Sequence, residues 1–273
     1  STATPTPIAL TDWSSSMVAG WILEEDGMTA RDNTGACGGT PANCDLYPTL
    51  TPVARKTPSV EGSWAAESIG RNSRLKCASA TCNTAFNLTS DLTYGGWIRP
   101  SAAMLTFGHN HYFFWHAGTN IGYNAWVSGN NDTWGCYFGT GAGENSVTSA
   151  ANTAVADTYQ HFACRRSGTT IQAFVGGSIS GGVGTNATLA GATTDFVLLG
   201  NTYSDNEAEG LYDEAWVAST ALTNADICRV ASCGVRGEQC TCDGADPATF
   251  LTTGRNSTLV GGACSLTNVA CNA

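Results

Sequence analysis

Short runs of β-branched and aromatic residues, separated by clusters of Gly, Asn, Asp and Ser, recur along most of this 273-residue chain. Such runs between turn-forming clusters are typical of β-strands. Many short strands with short connections predict an all-β fold, a two-sheet antiparallel jelly-roll sandwich. We predict strands at residues 93–98, 112–115, 122–127, 135–138, 161–165, 170–175, 196–199 and 211–217.

The composition divides the chain into three segments. Residues 1–16 are rich in Pro, Thr and Ser and predict an extended N-terminal arm. Residues 17–227 hold the predicted strands and form the jelly roll, which ends in a short helix that Thr223 caps, with Asp226 in its first turn. Residues 228–273 lose strand alternation and gain half of the cysteines, which predicts a disulfide-stapled C-terminal extension.

The twelve cysteines are an even number and lie mostly in short-range pairs. We predict disulfides Cys37–Cys44, Cys77–Cys82 and Cys136–Cys164, the last joining two strands that lie side by side. The pairing of the other six is left open: Cys228, Cys233, Cys240, Cys242, Cys264 and Cys271. Zinc is the rival explanation for the C-terminal cysteines, but this segment has no histidine and no paired C-x2-C hooks.

Charge and hydropathy exclude several classes of partner. A formal net charge of -10 makes nucleic acid an improbable partner. No apolar run approaches the roughly 20 residues that cross a bilayer, and no charged-then-apolar leader opens the chain. Together with the cysteines, this predicts a secreted or cell-surface protein whose signal peptide has been removed. Four Asn-x-Ser/Thr sequons, at Asn87, Asn131, Asn186 and Asn256, decide nothing in so Asn- and Thr-rich a chain.

An ordered series of segments resembles the laminin-G-like, concanavalin-A-like jelly-roll superfamily. The segment at 18–39 resembles the opening strand with its acidic-Gly turn, and the segment at 61–77 the strand pair that follows. LTYGGWIRP, at 92–100, resembles the strand whose Trp, here Trp97, packs inside. Residues 161–177 match a hairpin, and 198–227 match a strand, an acidic loop, Gly-x-x-Asp-Glu and a short helix in family order. The resemblance covers about residues 17–227 and implies the same fold.

The resemblance also implies a calcium site. In laminin-G-like folds it lies between the early Asp-x-x-Gly loop and the late Gly-x-x-Asp strand, which here implicates Asp32 and Asp213, with Glu24 or Asp26 as weaker candidates. Two alternatives stay open, because Asp32 can cap its own turn and Asp213 can pair with an arginine.

The sequence contains little that indicates a catalytic site. Glucanases on this fold use glutamates that flank an aspartate on one strand, but no Glu-x-Asp-x-Glu or Glu-x-Asp-x-x-Glu spacing occurs in the acidic segments 24–26 and 207–214. No Gly-x-Ser-x-Gly elbow accompanies the four histidines. His109 and His111 share one strand face, yet an exposed hairpin explains them better than a metal site. We therefore predict a protein that is not an enzyme.

Aromatic residues carry the second functional signal. Trp115, Tyr123, Trp126 and Trp134, with Tyr137, alternate with Gly and Asn, and exposed rings of this kind stack on sugars. Because alternate residues of each strand point inwards, we expect half of these rings to be buried. The remaining tryptophans on the family's strands are assigned to the core: Trp13, Trp21, Trp97 and Trp216.

Two functions in surface structure or adhesion fit these observations. One is a self-assembling subunit of an extracellular filament or sheath, whose arm adds to a neighbour's sheet edge through Ile8 and Leu10. The other is binding of a cell-surface glycan. A secreted monomeric carbohydrate-binding module is the alternative to these two. A glycoside-acting enzyme ranks third.

Overall fold

A computed structural model describes the chain over these residues: 16–21, 23, 44–49, 53–56, 65–68, 73–77, 79–200 and 209–233. The predicted arm up to residue 15, with Ile8 and Leu10, and the C-terminal residues 234–273 lie outside this part. So do Trp13, Asp32, Glu24, Asp26, Cys37 and the cysteines from Cys240 onward.

The described chain forms two antiparallel sheets, as predicted for a jelly-roll-like sandwich. In sheet A the strands run in the order β13-β12-β11-β6-β15-β4-β3, and β1 also pairs with β15. Its strands are β1 (Met17–Trp21), β3 (Ala54–Lys56), β4 (Ala65–Ser68), β6 (Leu92–Pro100), β11 (Gln160–Ser167), β12 (Thr170–Val175), β13 (Ser178–Thr185) and β15 (Gly210–Ala218).

Sheet B has the order β10-β9-β8-β7-β14-β5-β2. Its strands are β2 (Leu46–Pro48), β5 (Leu75–Cys77), β7 (Asn110–Gly118), β8 (Ile121–Ser128), β9 (Thr133–Gly139), β10 (Glu144–Thr148) and β14 (Val197–Leu198). The edge strands β10 and β13 were not predicted, because ENSVT and the glycine-rich SISGGVGT lack the apolar runs that mark interior strands.

Three short helices accompany the sheets: α1 (Ala80–Ala85), α2 (Ala102–Thr106) and α3 (Asn224–Cys233). The sequence predicted only α3, and its cap is confirmed, because the Thr223 hydroxyl accepts from the Asp226 amide at 3.1 Å. Ser79 and Ser101 cap α1 and α2 in the same way. These two helices are too short to show an apolar periodicity in the sequence. Helix α3 continues through Cys228 to Cys233, past the predicted boundary at residue 227.

Aromatic rings fill the space between the sheets. Trp21 from β1 stacks on Phe196 at 5.5 Å between ring centroids, and Phe86 lies 4.0 Å from Phe196. The burial of large apolar side chains between two sheets is the main stabilising contribution in such a sandwich.

A buried disulfide, Cys136–Cys164, crosses this core. Its two Cα atoms are 5.7 Å apart, and it joins β9 of sheet B to β11 of sheet A. The predicted pairing is confirmed, but the strands face one another across the core, so the expectation that they lie side by side was wrong. Cys77–Cys82 is also confirmed, and Cys44 is disulfide-bonded while its predicted partner lies outside the described residues.

The positions of Trp97 and Trp216 differ from the expectation that both side chains lie in the core of the sandwich. Both are buried, yet they lie on the side of sheet A that faces away from sheet B. On β6 the residues Tyr94 and Ile98 point into the main core, so Trp97, which alternates with them, points outwards. Helix α3 covers part of this outer face, where Ile227 and Val230 pack with Trp216 and Phe174.

Candidate functional site

The outer side of sheet B, called face B below, carries one residue from each of seven strands in a continuous row. The cross-strand register places Ser146, Tyr137, Asn124, Trp115, Val197, Lys76 and Tyr47 side by side. Since strands lie about 4.8 Å apart, the six steps of this row span about 29 Å.

Packed aromatic rings occupy the middle of face B. Trp115, Trp126 and Tyr137 form one cluster with Val197, and Tyr112 packs against it. The ring of Tyr112 stands edge-on to Trp115 at 4.8 Å and to Trp126 at 6.4 Å. The three clustered side chains retain only 7%, 8% and 8% exposure, respectively. These rings therefore form a rigid floor rather than separate platforms.

Gly135 gives Trp126 its place in this floor. The indole of Trp126 lies directly over Gly135, its cross-strand partner on β9, and a Cβ atom at Gly135 would overlap the ring. Glycine is therefore the residue that lets the indole lie flat against the sheet.

Asn124 places a polar atom in the same floor, between Tyr137 and Trp115 in the row. Its side chain is 3% exposed, and its Oδ1 has no hydrogen-bond partner among the described residues. A buried acceptor without a donor is costly, so such an atom calls for a ligand or water that supplies one.

The open end of face B is built around Tyr47, whose side chain is 41% exposed. Beside it, the Lys76 ammonium contacts Asp195 Oδ2 at 2.9 Å. The other oxygen of Asp195 accepts from the Asn83 amide at 2.9 Å, and the Asn83 carbonyl accepts from the Phe196 backbone amide. An accessible ring thus stands next to charged and amide groups held in fixed positions.

The opposite end of face B is acidic. Glu144 is exposed on β10, and its register with Gly139 puts it on the same side of the sheet as Tyr137. Burial raises the pKa of Tyr137 to about 12, and the Glu144 carboxylate contributes to the increase. The phenol therefore stays neutral and keeps its proton for hydrogen bonding over the physiological range.

Two residues of the predicted glycan-binding set are corrected. Tyr123 and Trp134 lie in the core between the sheets, where Trp134 stacks on Phe162 at 5.1 Å. Neither ring is accessible to a sugar. Trp115 and Trp126 do lie on face B, although largely covered.

Sequence reasoning missed Tyr47, Lys76 and Asp195. They lie on or beside three very short strands, and Lys76 and Asp195 are 119 residues apart in the chain. Only the sheet order brings them together, so no local spacing could have indicated them.

The predicted calcium residue Asp213 is 1% exposed on the outer side of sheet A, opposite Trp97 in the register. Burial raises the pKa of Tyr159, and the nearby Asp213 carboxylate raises it further. Among the described residues no group of three or more His, Cys, Asp or Glu side chains converges. These residues alone do not make a calcium site, and Asp32, Glu24 and Asp26 lie outside the described part.

His109 and His111 lie together at the start of β7, with ring centroids 4.4 Å apart. Phe107, 51% exposed, packs on both rings at 5.8 and 6.1 Å. The rings contact one another in an aromatic cluster, but the expectation of an exposed hairpin was wrong for His111, which is buried.

Comparison with known proteins decides the family. A family model described as the concanavalin A-like lectin/glucanases superfamily matches residues 73–228, more than half of the chain. The chain belongs to this superfamily. No curated protein matches it significantly in sequence.

Solved structures of the same fold include toxin and enzyme binding domains. The binding domain of Paraclostridial Mosquitocidal Protein 1 aligns with a TM-score of 0.60 at 14% identity, covering 80% of this chain and 52% of that one. The ligand-binding domain of botulinum neurotoxin serotype D, solved with N-acetylneuraminic acid, aligns with a TM-score of 0.58 at 10% identity, covering 80% and 50%. This chain thus spans about half of the toxin domains.

A third neighbour is comparable in length. Domain 4 of AbnA, an extracellular arabinanase of family GH43 from Geobacillus stearothermophilus, was solved with arabinotriose. It aligns with a TM-score of 0.54 at 16% identity, covering 79% of this chain and 98% of that one. At these identities the likeness concerns the fold. Within the described residues, no helix is both long and apolar enough to cross a membrane.

Proposed function

We propose that this protein is a non-catalytic, extracellular glycan-binding module that holds its ligand on face B. The observation that carries the proposal is the row itself, where the exposed ring of Tyr47 and the Lys76–Asp195 pair adjoin an aromatic floor with the Asn124 acceptor. Sugar rings offer apolar faces that stack on aromatic side chains and hydroxyls that donate to carbonyl oxygens. The sugar complexes of two neighbours with the same fold support this proposal.

Each part of face B has a role in this proposal. Tyr47 stacks on a sugar ring, while Lys76 donates to hydroxyl oxygens and Asp195 is held for hydrogen bonding by Asn83. A hydroxyl that reaches Asn124 supplies the donor that its Oδ1 lacks. The floor of Trp115 and Trp126 keeps these groups in place, because preorganised groups lose little entropy on binding.

Substituting Tyr47 tests the proposal. Tyr47→Ala removes the exposed ring, and truncating an aromatic anchor typically costs more than about 1 kcal/mol of binding energy, a loss of affinity on the order of tenfold. Phe107→Ala is the matched control, because it deletes an equally accessible ring whose contacts are His109 and His111. Titration calorimetry with the best oligosaccharide from a glycan array measures both variants. Equal affinities of Tyr47→Ala and the parent protein would remove face B from the proposal.

Calcium and self-association remain predictions. If calcium binds at Asp213 with ligands from the loop of Asp32, a chelator lowers the melting temperature of the parent protein and leaves that of Asp213→Asn unchanged. An unchanged melting temperature of the parent protein contradicts calcium binding.

Deleting the arm that carries Ile8 and Leu10 tests self-association by size-exclusion chromatography and electron microscopy, with loss of assembly expected if the arm pairs with a neighbour.

A further inference from the structure

We infer that the glycan held on face B is uncharged, an inference that rests on the proposed function and specifies its ligand class. Recognition of an anionic sugar normally uses arginine or lysine side chains that are free to form charge-assisted hydrogen bonds. The two cations of face B among the described residues both have partners within the protein: the Lys76 ammonium pairs with Asp195, and Arg74, which the strand register puts on the same side, donates from Nε to the Thr49 hydroxyl.

The cations of the described chain are engaged in contacts within the protein. Four of the six whose side chains are described form ion pairs, namely Lys56–Glu67, Lys76–Asp195, Arg99–Asp157 and Arg166–Asp91. Arg165 donates to the Leu222 carbonyl and to Gln172, and Arg74 donates to Thr49. The described part of the chain therefore lacks the basic patch that attracts sulfated or carboxylated polysaccharides.

Lys76 is held in a particularly complete arrangement. Its partner Asp195 uses one carboxylate oxygen for the ammonium and the other for the Asn83 amide, at 2.9 Å each. Asn83 is in turn fixed by the Phe196 backbone amide at 2.8 Å. An ammonium paired in this way presents N–H donors to a hydroxyl, while the Lys76–Asp195 pair itself carries no net charge.

The far end of the row adds negative charge. Glu144 is exposed beside Tyr137 and affects both that phenol and Tyr112 electrostatically, because it raises the pKa of each. No cation of the described residues forms an ion pair with Glu144. The formal net charge of -10 for the whole chain acts in the same direction. A carboxylate or sulfate on the ligand would therefore be repelled at this end of face B.

A glycan array that carries neutral, uronic-acid-containing, sialylated and sulfated oligosaccharides tests the inference, followed by calorimetry on the best probe at about 0.05 M and about 0.5 M NaCl. The inference expects neutral probes to bind best, with affinities that differ less than about twofold between the two salt concentrations. Preferred binding of an anionic probe, or equal binding of neutral and anionic probes, overturns the inference and leaves the proposed function standing. Binding of no probe overturns the proposed function, and the inference with it.

A pair of charge-matched variants locates the effect. Glu144→Gln removes one negative charge from face B, and Val183→Lys adds one positive charge at an exposed position on β13 of sheet A. We expect Glu144→Gln to improve binding of the uronic-acid counterpart of the best neutral probe severalfold and to leave the neutral probe unaffected, whereas Val183→Lys changes neither. Equal effects of the two variants would show that the net charge of the chain, rather than face B, sets the preference.

Discussion

The outer faces of the two sheets both carry tryptophan, yet they differ in what meets them. On sheet A, helix α3 packs Ile227 and Val230 onto Trp216 and Phe174, so apolar side chains meet an apolar cover. On face B the row ends in the accessible ring of Tyr47, and the buried acceptor of Asn124 lacks a donor. Aromatic content alone therefore does not mark a binding surface. The two faces differ at the open end of face B, where the accessible ring of Tyr47 lies beside the Lys76–Asp195 pair.

The largest effect expected from this comparison is on the stability contributed by sheet A. Trp216→Ala removes a fully buried indole from beneath helix α3 and should lower the free energy of unfolding by about 3–5 kcal/mol. Tyr47→Ala, at an exposed position, should change it by less than about 0.5 kcal/mol. Chemical denaturation measures both. Similar losses for the two variants would contradict the distinction between a covered face and an open one.

The stability of the fold should also depend on pH, through the buried side chain of His116. His116 on β7 is buried against Tyr123 and Phe196, and burial lowers its pKa to about 4, although the Asp195 carboxylate partly offsets the shift. The unfolded chain binds the proton near pH 6.5 and the folded chain does not, so stability falls as the pH decreases from about 6.5 towards 4. The shift corresponds to about 3 kcal/mol.

His116→Gln replaces the imidazole with an uncharged amide. Because an amide does not titrate, the variant should lose less stability than the parent protein between about pH 6.5 and pH 4. Denaturation curves at several pH values give the comparison. Parallel pH profiles for the two proteins would show that His116 is not the group responsible.

The smallest expected effect is that of a substitution in the aromatic floor of face B. Gly135→Ala places a methyl group where the Trp126 indole lies and should cost about 1–3 kcal/mol of stability through overpacking. The displaced ring should also weaken glycan binding. Gly182→Ala is the control, because a Cβ at this exposed β13 position meets no atom within 4 Å. If Gly135→Ala matched the control in both stability and affinity, the indole would not need its flat position.

Sequence reasoning reached the fold because alternation and turn residues act locally. The strands at 161–165 and 170–175 and the cap at Thr223 depend on neighbouring residues only, and each was found. Which side of a sheet an alternating residue occupies depends on the partner sheet. Tyr94 and Trp97 are therefore both buried, on opposite sides of β6, and the sequence assigned only a core position to Trp97.

The candidate site was harder to predict for the same reason. Trp115 and Trp126 were predicted as glycan-binding residues because Gly and Asn surround them, and such surroundings occur throughout sheet B. The polar end, with Tyr47, Lys76 and Asp195, arises from pairing among β2, β5 and β14, whose strands are two or three residues long. Strands this short leave almost no alternation to read.

The central claim is that the ligand binds along face B, and mapping the bound oligosaccharide by NMR tests it most directly. The account predicts that titration with the best neutral oligosaccharide shifts backbone amide signals of β2, β5, β7 and β8, together with the side-chain amide of Asn124, and leaves β12 and helix α3 unchanged. Shifts concentrated on helix α3 and the outer side of sheet A, with face B unchanged, would contradict it.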